Sequence, residues 1–310
     1  MRIIRATDMG MCFGVRDALQ VANAIVNPQE VTIHGELVHN PMVIYQLSQA
    51  GFHQTPEELE HREANTKRVL ITAHGISKHQ RHRLAEQGKQ LIDTTCPLVG
   101  RVHDAATQLA AEDRHVLLIG KPGHAEVIGI VEDLDRCDVI AEPSDVREYK
   151  SKRLGVICQT TMPSRLVDEV RGAIELQNPS ADIRFLDTVC RPTKLRQEAM
   201  LNLLPCVNIV VIVGGRNSNN TLQLVALCEC HQVPARHVTC ADEIEPQWFE
   251  DGYTVGLSAG TSTLDETIDA VHQRLGEIAA SLRMQTQLQD EPETTHGCTG
   301  ERSRQEWSEP

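Results

Sequence analysis

The chain has 310 residues, 40% apolar and 24% charged, and 43 acidic against 30 basic side chains give it a net charge of −13. That balance excludes nucleic acid or an anionic membrane as the main partner, because neither is drawn to a negative surface; a small anionic ligand held by local donors stays open. No apolar run is long enough to cross a bilayer. The start, Met1-Arg2-Ile3-Ile4-Arg5, lacks a secretory apolar region and cleavage site, so a cytoplasmic location is expected. Ten cysteines in such a chain read as free thiols or metal ligands rather than a disulfide framework.

In chain order, β-branched runs alternate with helical patterns. Strands are expected at Ile3-Ile4 and at residues 31–33, 69–72, 116–119, 139–140, 154–157, 207–213 and 253–257. Their near-continuous apolar character fits parallel strands buried on both faces. Between them, Leu166, Val170, Ala173 and Ile174 line one helix face, and Ile268, Val271, Leu275 and Ile278 another. A capping-box pattern, Thr263-x-x-Glu266, precedes the second helix. The expected class is α/β with parallel sheets.

Ligands of such sheets sit beyond the carboxyl ends of strands. Six of those ends carry His34-Gly35-Glu36-Leu37-Val38-His39-Asn40, Ala73-His74-Gly75, Gly120-Lys121-Pro122-Gly123-His124-Ala125-Glu126, Cys158-Gln159-Thr160-Thr161, Gly214-Gly215-Arg216-Asn217-Ser218-Asn219-Asn220, and Ser258-Ala259-Gly260-Thr261-Ser262-Thr263. This is the composition of an anion-binding cleft. From residue 283 to 310 apolar residues are sparse, and a disordered tail holding Cys298 is expected.

Cys96 lies in Asp93-Thr94-Thr95-Cys96-Pro97, where the proline drives the cysteine toward an extended or turn conformation. Cys12 and Cys190 stand at comparable intervals, 84 residues before it and 94 after. One thiolate from each of three small domains could meet at a single centre, although ten cysteines offer many triples. Cys228 and Cys230 sit two apart in a helical stretch, where their thiols do not converge, and no CxxC is present.

The motifs Gly10-Met11-Cys12-Phe13-Gly14-Val15, Leu37-Val38-His39-Asn40, Ala73-His74-Gly75, Asp93-Thr94-Thr95-Cys96-Pro97, Gly123-His124-Ala125-Glu126, Gln159-Thr160-Thr161, Val189-Cys190 with Arg196-Gln197-Glu198-Ala199, Asn217-Ser218-Asn219-Asn220 and Ala259-Gly260-Thr261-Ser262 occur in an order that resembles the 4-hydroxy-3-methylbut-2-enyl diphosphate reductase (LytB) family, over about residues 1–280. The resemblance implies three similar small parallel-sheet α/β domains in a pseudo-threefold, trefoil-like arrangement around a central cleft. Their expected bounds are 13–96, 97–189, and 190–282 joined by the N-terminal 1–12. It implies one [4Fe–4S] cluster per chain on Cys12, Cys96 and Cys190, three thiolates that leave one iron open. His39, His74 and His124, with Thr161, Ser218, Asn219, Asn220 and Ser262, match substrate binding; imidazolium, hydroxyl and amide donors suit a diphosphate. Glu126 matches the proton donor and Thr160 the residue that relays or orients at the substrate hydroxyl. The implied reaction is a reductive dehydroxylation giving isopentenyl and dimethylallyl diphosphate, the last step of the methylerythritol phosphate route. A ferredoxin or flavodoxin would supply the electrons.

Three positions depart from the family pattern. Asn219 replaces a serine but keeps a donor and an acceptor. Arg191-Pro192-Thr193 follows Cys190, and a proline there is expected to change the loop. Thr263-Leu264-Asp265 stands where a proline is common. Two other readings compete: a quinolinate-synthase-like cluster enzyme, which would favour arginines at the strand ends, and a non-catalytic cluster-based redox sensor, which would not need Glu126 or Thr160.

Overall fold

A computed structural model describes residues 1–55 and 64–290. Three four-stranded parallel sheets organise it. The first comprises β2 (Val31–His34), β3 (His53–Gln54), β4 (Arg68–Ile71) and β5 (Gln90–Asp93), with α1 (Phe13–Asn23), α2 (Pro41–Gln49) and α3 (Lys78–Glu86). The second comprises β6 (His115–Ile119), β7 (Cys137–Ile140), β8 (Arg153–Cys158) and β9 (Asp182–Phe185), with α4 (Pro97–Ala111), α5 (Ala125–Val131) and α6 (Ser164–Gln177). The third pairs β1 (Arg2–Arg5) with β12 (Thr254–Ala259), β10 (Ile209–Val213) and β11 (Ala235–Val238), alongside α7 (Arg191–Leu203), α8 (Asn219–Cys230) and α9 (Asp265–Asp290).

The spatial orders are β3-β2-β4-β5, β7-β6-β8-β9 and β11-β10-β12-β1. Each is one pattern: the second strand lies outside the first, and the third and fourth follow on the other side. In the third sheet the chain's own start supplies the fourth strand, Arg2 to Arg5 running in register with Thr254 to Leu257. The strand order therefore reverses at β2/β4, β6/β8 and β10/β12, and such switch points open a crevice at the carboxyl ends.

The paired inner strands are apolar on both faces. In β10, Ile209, Val211 and Val213 pack into one core, with Val255, Leu257 and α9, whereas Val210 and Ile212 pack into another, with Leu203 and Leu224. β6 divides alike, Leu117 and Ile119 to one side and Val116 and Leu118 to the other. Fully burying such side chains contributes about 2 kcal/mol each.

All eight expected strands are present, and the sheets add β3, β5, β9 and β11, each at an edge. Two local expectations need correction. Thr263 does not cap the following helix: its hydroxyl donates to the Val213 carbonyl (2.9 Å), and α9 begins at Asp265. That helix continues to Asp290, so residues 283–290, expected in the polar tail, are helical; residues 291–310, Cys298 included, lie outside the described residues. Among the described residues, no helix is long and apolar enough to cross a membrane.

Candidate functional site

The carboxyl ends of the three sheets line one cavity, open to solvent, with about 660 Å³ of empty space including its mouth. All thirteen site residues expected from the sequence line it, from Cys12 in the first loop to Ser262 in the last. Thr193, to which no role was given, lines it too, and no arginine or lysine is among the lining residues.

The cysteines arrive by one device repeated three times. Each follows the fourth strand of a sheet and is the N-cap of the next helix: Cys12 for α1, Cys96 for α4 and Cys190 for α7. Each backbone amide donates 3.0 Å to a segment beyond the third strand: Cys12 to the Thr261 carbonyl, Cys96 to that of Ala73, Cys190 to that of Thr160. Pro97 occupies the first helical position after Cys96, and Pro192 the second after Cys190. A proline costs least there, because the amide it lacks has no partner inside the helix. The proline expected to disturb the loop thus starts a helix immediately.

None of the three thiols caps its own helix. Cys190 Sγ lies 3.1 Å from the Thr193 hydroxyl. A Cβ on Gly14 would collide with Cys96 Sγ, so the glycine in Cys-Phe-Gly is what lets the second sulfur approach the first cysteine's helix. Burial pushes the Cys96 thiol up, against the nearby amides of Leu98 and Val99, while Cys12 and Glu126 add repulsion. Burial raises Cys190 likewise, opposed by Thr193. A cation among the sulfurs would reverse this balance and deprotonate them. Three soft donors at helix N-termini, with no disulfide among them, fit an iron–sulfur cluster.

Glu126 is 1% exposed. Its Oε1 accepts from the Thr160 amide (2.7 Å) and its Oε2 from the Thr160 hydroxyl (2.8 Å). Burial raises its pKa to about 7, against both bonds. The two-residue spacing His124-x-Glu126 suits an extended segment with both side chains on one side, but α5 begins at Ala125 and His124 caps it, Nδ1 accepting from the Glu126 amide at 3.2 Å. That bond leaves the His124 proton on Nε2. Burial, then His39 and Lys121, lower its pKa to about 3, so the ring is a neutral donor rather than the expected imidazolium.

His39 stacks on His74 at 4.3 Å, and His124 meets both rings edge-on at 5.2 and 5.3 Å. Their ligand atoms lie within 4.8 Å of one another, a grouping that could hold a metal ion. His39 Nδ1 donates to Glu36 (3.1 Å), which also accepts from Asn217 at 2.9 Å. Burial works to raise the Glu36 carboxyl, but His39 and then Asn217 hold it below its usual range. Asn40 caps α2 and donates to the Ser262 carbonyl (2.6 Å), and the Ser262 hydroxyl donates to the His39 carbonyl at 3.0 Å. Asn219 donates to Thr161 Oγ1 at 2.8 Å. Asn220 accepts from the Thr261 amide (3.0 Å), while its buried Nδ2 has no hydrogen-bond partner among the described residues.

The roles of Glu36 and Asn40 escaped sequence reasoning, although both lie in strand-end segments singled out there. Their distant partners are 181 and 222 residues away, beyond any local pattern; the local signals were the Glu36-x-x-His39 spacing and the Asn40-Pro41 helix start. Thr193, three residues after Cys190, shows only as a helical neighbour of a ligand. Of the remaining cysteines, Cys137, Cys158, Cys206, Cys228, Cys230 and Cys240 do not line the cavity.

The sequence profile described as LytB protein matches residues 3–276. A 4-hydroxy-3-methylbut-2-enyl diphosphate reductase of Aquifex aeolicus (strain VF5) is 35% identical over 283 residues, 89% of this chain and 96% of that one. One of Vibrio vulnificus (strain YJ016) is 32% identical, covering 90% of this chain and 92% of the relative. A solved (E)-4-hydroxy-3-methyl-but-2-enyl diphosphate reductase, described as the terminal enzyme of the non-mevalonate pathway, is 33% identical, with TM-score 0.62 over 89% of this chain and all of the other. The Plasmodium falciparum reductase, at 21% identity, shares the fold, with TM-score 0.79 over 88% of this chain and 87% of that one. The recurrent cysteine caps, the histidine group and these matches along nearly the whole described chain have one reading: it belongs to the LytB family.

Proposed function

We propose that the chain converts 4-hydroxy-3-methylbut-2-enyl diphosphate to isopentenyl and dimethylallyl diphosphate by reductive dehydroxylation. The observation that carries this reading is the meeting, in one cavity, of three cysteines from three sheets with a buried acid bonded to a threonine. Cys12, Cys96 and Cys190 would hold one [4Fe–4S] cluster; each follows the fourth strand of a different sheet and stands at an edge of the units 13–96, 97–189 and 190–282 with 1–12. When bound, the cluster supplies two electrons, one at a time, and a Lewis-acidic iron with an open position.

The chain's own residues do the rest. Overall the reaction takes up two electrons and two protons, breaks a C–O bond, forms a C–H bond and releases water. Glu126 gives the departing hydroxyl its proton; a carboxyl with a pKa near 7 is protonated often enough at neutral pH to serve as general acid. Thr160 fixes the carboxyl through both of its oxygens and orients the substrate hydroxyl toward it.

His39, His74, His124, Thr161, Ser218, Asn219, Asn220 and Ser262 bind the diphosphate. With no lysine or arginine lining the cavity, the anion is recognised by neutral donors: His124 Nε2–H, the free Asn220 Nδ2 and the N-terminal amides of α8. A donor set of this kind also favours a diphosphate over a metal ion at the histidines. Anchoring at that end places the hydroxyl at the cysteine end, an orientation effect. Electrons come from a ferredoxin or flavodoxin.

The test is anaerobic reconstitution with iron and sulfide, reduction by dithionite and viologen, and assay with the hydroxylated diphosphate. The wild type is expected to consume it and Glu126→Gln to fail while keeping its iron. A wild type that holds its cluster and turns nothing over would sink the proposal.

A further inference from the structure

Arg196 belongs to the Arg-Gln-Glu-Ala motif after Cys190 and does not line the cavity. It is one of two arginines in the buried set, with 6% exposure, and the other sets the standard for comparison. Arg114 (7%) pairs with two carboxylates, Glu112 at 3.1 Å and Asp182 at 2.8 Å. Arg196 pairs with none among the described residues. Its Nε and Nη2 donate to the Gly10 carbonyl (3.2 and 2.6 Å), and Nη1 to that of Pro192 at 2.9 Å. Gly10 stands two residues before Cys12 and Pro192 two after Cys190, so the guanidinium ties together the backbones flanking two cysteines from different sheets. A buried cation without a carboxylate is costly unless another anion answers it. Burial does draw its pKa below the ordinary arginine value, and the groups opposing that are Cys12, then Cys190, then Asp8.

We infer that Arg196 is the fixed counter-charge of the thiolate-bound cluster and sets how readily it is reduced. The inference rests on the cluster reading proposed above. A positive charge held beside Cys12 and Cys190 favours the more negative, reduced state over the oxidised one. Arg196 is on this view a positioning residue with an electrostatic effect, and does not touch the substrate.

The test is a potentiometric titration of the reconstituted holoprotein followed by EPR, comparing wild type with Arg196→Gln and Arg196→Lys. Gln keeps a donor and removes the charge; Lys keeps the charge and removes the fork. Arg196→Gln is expected to show, at the wild-type midpoint, at least a tenfold lower ratio of reduced to oxidised cluster. That is a negative shift of about 59 mV for a one-electron couple. Arg196→Lys is expected to stay at the wild-type potential. A merely structural arginine would loosen iron retention in both variants without moving either potential, and wild-type potentials in both overturn the inference alone. A wild type that takes up no reducible cluster overturns the cluster reading and this inference with it. Should Arg196→Gln fail to fold, Arg196→Met, which also removes the charge, takes its place: a negative shift of the same size supports the counter-charge, and the wild-type potential overturns it.

Discussion

The three cysteines and the three histidines face one cavity but are held in opposite ways. The cysteines are fixed through the main chain: each donates its amide to the neighbouring strand's outgoing segment, and none uses its sulfur to cap its helix. The histidines are fixed through their rings, stacked on one another, with His39 bonded to Glu36 and His124 to the Glu126 amide. Main-chain fixation leaves a side chain available to ligate. Ring fixation selects which nitrogen carries the proton, and so decides what the ring can recognise. The sulfurs stay available to ligate; His124, its Nδ1 occupied by the Glu126 amide, keeps Nε2–H as a donor, while His39 spends its Nδ1–H on Glu36.

The sharpest way to break this contrast is at the cysteines. Cys96→Ser removes a soft donor, and iron and sulfide content measured after anaerobic reconstitution are expected to fall with activity below detection, while the far-ultraviolet circular dichroism of the α/β fold persists. Gly14→Ala leaves all three ligands in place. At an ordinary helix position that change stabilises by up to about 1 kcal/mol, but here the new methyl meets Cys96 Sγ. Overpacking costs of about 1–3 kcal/mol and poor iron loading are expected instead, checked by thermal melting and iron assay. A Gly14→Ala protein that is more stable and fully loaded would show that the main chain does not set the sulfur positions.

Glu126→Gln tests the residue between the two groups. Loss of a general acid is expected to lower kcat by about 10²–10⁴ with iron content unchanged. The same substitution reads out stability. The folded-state pKa of about 7 lies above the ordinary 4.5, so the folded form holds its proton more tightly than the unfolded chain. The resulting stability is fully present below pH 4.5 and is lost as pH rises through 7, by roughly 3 kcal/mol at 1.36 kcal/mol per unit. Urea unfolding of cluster-free protein at pH 5 and pH 8 is expected to show that loss in the wild type, with Glu126→Gln lacking it.

His124→Asn tests the donor side. Losing a hydrogen bond to a charged group costs about 1.5–3 kcal/mol, expected as a rise in KM of about tenfold or more with a smaller change in kcat. Were kcat to fall and KM to stay, His124 would act on the chemistry rather than on the anion.

Sequence legibility follows the same division between local and remote fixation. β10, with Ile209-Val210-Val211-Ile212-Val213 all buried, is readable because an inner strand must be apolar on both faces. β5 and β9 escape notice because an edge strand need bury little: Gln90-Leu91-Ile92-Asp93 has exposed ends, and Asp182-Ile183-Arg184-Phe185 has no fully buried residue. Yet these edge strands, with β1, deliver the cysteines. Hence spacing alone could not choose the triple, and the motif order had to. The strand-end polar segments were all legible, since each directly follows an apolar run. Their mutual bonds were not, because Ser262 to His39 spans 223 residues.

The smallest expected effect is at Asn219, where this chain departs from the family's serine. The amide donates 2.8 Å to Thr161 Oγ1 and so links the loop after β10 to the loop after β8, across two sheets. Thr161 also accepts from Gln159 Nε2 at 3.3 Å, so its hydroxyl remains anchored without Asn219. A serine retains a hydroxyl for the anion but is too short to keep the same bond. One neutral hydrogen bond contributes about 0.5–1.5 kcal/mol, and the remaining anchor keeps the expected loss toward the low end. Asn219→Ser is therefore expected to change KM by about threefold or less and leave kcat and iron content alone, measured in the same viologen assay. A loss as large as that of His124→Asn would mean that the link between the two loops, rather than any single donor, holds the anion-binding side in shape.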